Sequence, residues 1–76
     1  MARIQTRRTE NGLAYLVGNR ELHNGDELLL RMRGEAGWEP ITIAGLPGLL
    51  RVKLHAQDGK EIVTTLPVEE VELRWP

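Results

Sequence analysis

The sequence predicts an all-β domain built from short antiparallel strands, either a barrel or a sandwich. Three observations support that class. Turn-forming residues recur at strand-length intervals, at Asn11-Gly12, Gly18-Asn19, Asn24-Gly25-Asp26, Gly34 to Gly37, Gly45 to Gly48, Asp58-Gly59 and Pro67. The segments between these signals are too short for a helix of about three turns. Residues 50–57 and 71–75 alternate between apolar and polar side chains, the period of a strand with one wet face.

The first element is a hairpin. Asn and Gly both tolerate positive φ, so Asn11-Gly12 suits the central positions of a type I′ turn. That register opposes Glu10 to Leu13, Arg8 to Tyr15 and Thr6 to Val17. Ile4, Leu13, Tyr15 and Val17 then share one face, and Arg7, Thr9, Ala14 and Leu16 share the other. Next, Glu27 to Arg33 puts Leu28, Leu30 and Met32 on one face, with Glu27, Leu29, Arg31 and Arg33 opposite. Trp38 to Ala44 follows a Gly-bounded turn, with Ile41 and Ile43 alternating against Pro40 and Thr42. Pro40 has no N–H to give a ladder, so the strand starts after it or lies on an edge.

Leu50, Val52, Leu54 and Ala56 alternate with Arg51, Lys53, His55 and Gln57. Asp58-Gly59 offers a tight turn into Glu61 to Leu66, where Ile62, Thr64 and Leu66 can face inward. Pro67 to Glu70 reads as a single helical turn, with proline at its first position and Glu69 and Glu70 near its positive end. Val71, Leu73 and Trp75 form the inward face of a last strand. The predicted core is therefore Leu28, Leu30, Ile41, Ile43, Leu50, Val52, Leu54, Ile62, Val71 and Leu73.

The 76 residues make a single domain, residues 1–76. The absence of cysteine excludes disulfides, thiolate metal sites and a cysteine nucleophile. Ten Lys and Arg against eleven Asp and Glu give a formal charge of −1, which is no electrostatic footprint for nucleic acid. No apolar run of membrane-spanning length and no apolar signal core follow Met1, so the reading is a cytoplasmic protein with no membrane partner.

The order of elements resembles an SH3-like small β-barrel of five to seven short antiparallel strands, with one 3₁₀ turn before the last. Glu21-Leu22-His23-Asn24-Gly25-Asp26-Glu27-Leu28 is similar to the turn-and-strand segment Leu-x-x-Gly-Asp-x-hydrophobic of such barrels. Pro67 to Leu73 is similar to the 3₁₀ turn that feeds their closing strand. The opening hairpin, the Glu21 to Leu28 segment, Trp38 and the Ile41-Thr42-Ile43 strand also resemble a family of short bacterial proteins of unknown function. That resemblance implies a fold and no activity. In SH3 domains that bind proline-rich peptides, a tryptophan placed like Trp38 helps form an aromatic groove. The tyrosine-rich opening motif and the tyrosine after the closing proline are missing here.

The sequence offers little for catalysis. His23 and His55 lie far apart, and neither has a second ligand at zinc-site spacing, so no metal or cofactor is expected. Glu69 and Glu70 are adjacent and do not face one another across a cleft. Thr64-Thr65 has no base placed to activate it, and Gly45-Leu46-Pro47-Gly48 lacks the Lys-Ser/Thr end of a phosphate loop. The expectation is a non-catalytic interaction module for protein partners. The alternative is a nucleic-acid-binding barrel using the basic strand face Arg51, Lys53 and His55 beside Trp38. The bland account of the tryptophans is that Trp38 and Trp75 cap the core. Pro40, Pro76 and the arginines Arg3, Arg7 and Arg8 blunt the expected strand edges. Self-association is therefore expected to be weak and to use an apolar patch of Leu29, Leu46 and Leu49.

Overall fold

A computed structural model describes residues 4–10, 12–46, 48–55 and 58–76. Its eight strands are β1 (Ile4–Thr9), β2 (Gly12–Val17), β3 (Arg20–Glu21), β4 (Glu27–Met32), β5 (Glu39–Ala44), β6 (Arg51–His55), β7 (Glu61–Thr65) and β8 (Val71–Arg74). They form a three-stranded sheet, ordered β1-β2-β3, and a five-stranded sheet, ordered β7-β6-β5-β4-β8. Every pairing is antiparallel, and no helix occurs among the described residues. The all-β class is as the turn spacing predicts, but neither sheet closes on itself. The Pro67–Glu70 segment is a turn closed by the Glu70 N–H donating to the Pro67 carbonyl at 2.9 Å.

The core fills the space between the sheets. Val17 and Leu22 come from the smaller sheet and the turn after it, and Leu28, Ile41, Ile43, Val52 and Leu73 from the larger. Eight of the ten predicted core residues are buried, because the period-two rule assigns one face of β4, β5, β6 and β8 to the interior. Leu54 is only partly buried, and Ile62 is 51% exposed. Ile62 does share the inward face, in register with Leu54, but β7 is the last strand of the sheet among the described residues and leaves half of that side chain in solvent. Leu16 and Leu22 are buried without having been expected there.

The turns correct the first register. Thr9 pairs with Gly12 and Ile4 with Val17, two residues out of the expected register. Asn11 of the expected turn lies outside the described residues. This shift of two keeps every side chain on its expected face. It also brings Ile4 opposite buried Val17, where the expected register would oppose Ile4 to Asn19, beyond the strand. The type I′ signature appears one hairpin later. Gly18 and Asn19, with φ of 58° and 68°, form the two-residue link between Val17 and Arg20. The β6–β7 link is wider than a tight turn, since His55 pairs with Glu61. Pro47, Ala56 and Gln57 also lie outside the described residues.

Gly45 is the most constrained turn position. It has φ of 82°, and a Cβ there would sit 2.6 Å from the Leu49 carbonyl oxygen. Gly45→Ala is expected to combine left-handed strain with a backbone clash, lowering stability by about 1–3 kcal/mol. Ile41→Ala should cost about 2–5 kcal/mol through the cavity it leaves, and Ile62→Ala about 1 kcal/mol or less. Urea unfolding of the three variants checks this order. Equal losses at positions 41 and 62 would contradict the placement of β7 at an uncovered edge.

Candidate functional site

A concavity lies where the β1–β2 hairpin leaves the body of the domain. It encloses about 350 Å³. Its apolar lining is Leu13, Ala14, Tyr15, Leu22 and Leu46, and its polar lining is Thr9, Glu21, His23 and Asn24. β2 contributes Leu13, Ala14 and Tyr15, the ends of β1 and β3 contribute Thr9 and Glu21, the β3–β4 link contributes Leu22, His23 and Asn24, and Leu46 comes from the loop after β5. An apolar lining with a few convergent polar groups is the ordinary composition of a binding cleft.

Hydrogen bonds fix the polar side of this cleft. The Asn24 amide donates to the Leu46 carbonyl at 2.6 Å, and the Leu46 N–H donates back to Asn24 Oδ1 at 2.9 Å. This reciprocal pair ties the β3–β4 turn to the loop after β5. The Gly25 N–H donates to the Ile43 carbonyl at 2.8 Å, and the Ile43 N–H to the Asp26 carbonyl at 2.9 Å. Asp26 also accepts the His23 N–H on Oδ2 at 2.8 Å, its side chain reaching back three residues across the turn. The Asn-Gly-Asp triplet is thus a structural clamp, with each residue meeting a different backbone partner.

His23 stands between two carboxylates, with Nε2 3.0 Å from Glu21 Oε2 and Nδ1 3.8 Å from Asp26 Oδ2. Arg7 approaches the other Glu21 oxygen at 3.6 Å. The His23 side chain is 68% exposed, so the group is solvated. Among the described residues no cluster of three or more His, Asp and Glu side chains could hold a metal ion. The sequence hinted at this cleft only through its turn motif, because Tyr15, His23 and Leu46 are distant in sequence and meet through folding.

The outer face of the five-stranded sheet carries the other predicted residues. Arg51, Lys53 and His55 lie on it, opposed to Thr65, Val63 and Glu61 on β7. Lys53 also opposes Thr42, which opposes Glu27. Leu29 opposes both Pro40 and Arg74, and Arg31 opposes Glu72. Trp38 joins this face at the β4–β8 side, with the Arg31 and Arg74 guanidinium carbons each 4.5 Å from its ring centroid. Arg31 also donates to Glu72 at 2.7 Å. Trp38 and the basic stripe therefore share a sheet face, but the indole is engaged by two cations, and of the stripe only His55 opposes a carboxylate, Glu61.

The two tryptophans play different parts. Trp75 packs against the core and donates its indole N–H to the Val17 carbonyl at 2.8 Å, and Arg20 lies 3.9 Å above its ring centroid. Trp38 sits outside that core, so the expectation of two capping tryptophans holds for Trp75 alone. The Leu29, Leu46 and Leu49 patch is not assembled. Leu29 lies in register with Pro40 near the start of β5, whereas Leu46 and Leu49 follow the far end of that strand. Leu46 is half-buried in the cleft, and Leu49 is 62% exposed.

Compared with protein-family models, with curated proteins and with solved structures, the chain matches none of them.

Asn24→Ala removes both bonds to Leu46 and is expected to lower stability by about 1–2 kcal/mol. A thermal melt tests it, and an unchanged midpoint would show that the clamp contributes nothing.

Proposed function

We propose that the protein is a non-catalytic interaction module of the SH3-like small-barrel type, and that it receives a segment of a protein partner in the cleft beside Tyr15 and Leu46. The carrying observation is the cleft itself. Its volume of about 350 Å³ lies at the small end of the range for ligand clefts and accommodates a few side chains of a partner segment. Leu13, 51% exposed, offers the apolar contact, and Glu21, His23 and Asn24 offer hydrogen-bonding groups around it. A rigid frame under such a rim keeps the ordering cost of binding low, because the Asn24–Leu46 clamp is already in place.

The barrel reading rests on connectivity. Strands β4, β5 and β6 form a meander, and β8 returns to pair with β4 after the Pro67–Glu70 turn. This is the connection an SH3-like barrel makes, with the turn where such barrels place a 3₁₀ turn. Nucleic acid is the less favoured ligand. Glu27, Glu61 and Glu72 share the face that carries Arg51, Lys53 and Arg74, so phosphate contacts would be offset by repulsion.

Selection of random peptides displayed on phage tests the cleft. Peptides are expected to be enriched, to lose binding to the Leu13→Asp variant and to keep binding to Lys53→Glu. Enrichment indifferent to Leu13→Asp would refute the cleft as the site. Titration with single-stranded and duplex DNA and RNA at physiological salt is expected to show no binding. Micromolar binding lost on substitution of Arg51 and Lys53 would favour the nucleic-acid reading instead.

A further inference from the structure

The edge strand β7 stands apart from the cleft. All five of its residues, Glu61 to Thr65, are exposed, with Ile62 and Val63 at 51% and 50%. Among the described residues it ends the larger sheet and pairs with β6 alone. Proteins blunt such an edge with proline, an inward charge or a covering loop. β7 contains no proline, and its single charged residue, Glu61, is at one end. The β1 edge, by contrast, carries Arg7 and Arg8.

The backbone direction along β7 follows from one hydrogen bond. The Leu66 N–H donates to the Leu50 carbonyl at 3.0 Å, so the backbone of Leu66 points toward β6. In an antiparallel ladder this direction alternates with each residue. Ile62 and Thr64 therefore point toward β6. Glu61, Val63 and Thr65 direct their N–H and C=O groups to the open side.

We infer that this edge is a self-association surface, on which a second copy of the chain pairs β7 with β7 antiparallel about a two-fold axis at Val63. In that register Val63 opposes Val63 of the second copy, and Glu61 opposes Thr65. Every outward N–H and C=O of Glu61, Val63 and Thr65 then finds a partner. Ile62 opposes Thr64 on the inner face, where it gains cover beside Leu54. No like charges are opposed. Arg51 neighbours Thr65 in register, so Glu61 of the second copy lies about two strand spacings from it, ~10 Å. The basic stripes on the two β6 strands are about three spacings apart, ~14 Å, beyond the ~8 Å screening length at physiological salt. Opposite charges are thus nearer than like ones, and a net charge of −1 adds little repulsion between copies. The product is one continuous sheet across both copies.

Sedimentation velocity over a wide concentration range tests the inference. The wild type is expected to pass from monomer to dimer as concentration rises. Val63→Lys opposes two ammonium groups at the axis and is expected to stay monomeric, with an unchanged thermal melt in dilute solution. Arg8→Ala, on β1 of the other sheet, should associate like the wild type. Because the chain has no cysteine, a Val63→Cys variant is expected to give an oxidised dimer where Leu13→Cys does not. A wild type that is monomeric at millimolar concentration would overturn the inference, even if an extended peptide binds β7. So would a dimer that survives Val63→Lys.

Discussion

The fold depends on how the small sheet is held against the large one. No disulfide links them, because the chain has no cysteine. The junction is made by Val17 and Leu22, both almost fully buried, and by Trp75. The Trp75 indole satisfies the Val17 carbonyl at 2.8 Å and packs its ring against the core, while Arg20 closes over it from the β2–β3 hairpin. One side chain from the end of the chain thereby joins a hairpin near its start. A buried carbonyl left without that donor would carry the desolvation cost of an unmade hydrogen bond.

The surfaces available for recognition follow from this junction. Only the base of the β1–β2 hairpin is buried, at Leu16 and Val17, so the remainder projects and leaves a cleft against the β3–β4 turn. The Asn24–Leu46 clamp fixes one wall of that cleft, and Leu22 of the core, with Tyr15 and Leu46 packed against it, forms the rest of its floor. The larger sheet ends on β7 because the chain turns back at Pro67 and sends β8 to the opposite side, next to β4. The same connection that completes the core therefore leaves an edge unpaired.

The alternation in β4, β5, β6 and β8 was legible in the sequence because each strand has one face on the core and one in solvent. Burial alternates along β4, β5 and β8, whereas in β2 the neighbours Leu16 and Val17 are both buried. The rule failed at Ile62, since alternation reports which face a residue is on and not whether anything covers it. The first hairpin shows a related limit. Asn11-Gly12 is a strong turn signal, but the pairing of Ile4 with Val17 and its burial gain shift the register by two residues. The cleft was largely hidden, because it joins β2, the β3–β4 turn and Leu46 across long sequence separations. Trp38 was visible as an unusual residue, but its two arginine neighbours arrive from β4 and β8, which only the sheet order brings together.

The central claim is that Trp75 holds the small sheet in place on a larger sheet that is otherwise complete. Amide hydrogen exchange of the wild type and Trp75→Phe, followed residue by residue, tests it most directly. Phenylalanine keeps most of the ring packing and removes the donor to Val17. The account predicts a selective loss of protection at Leu16, Val17 and Leu22, with protection at Leu28, Ile41 and Val52 retained, as sub-global opening of the small sheet requires. Equal loss at both groups of amides, or no loss at either, would contradict it.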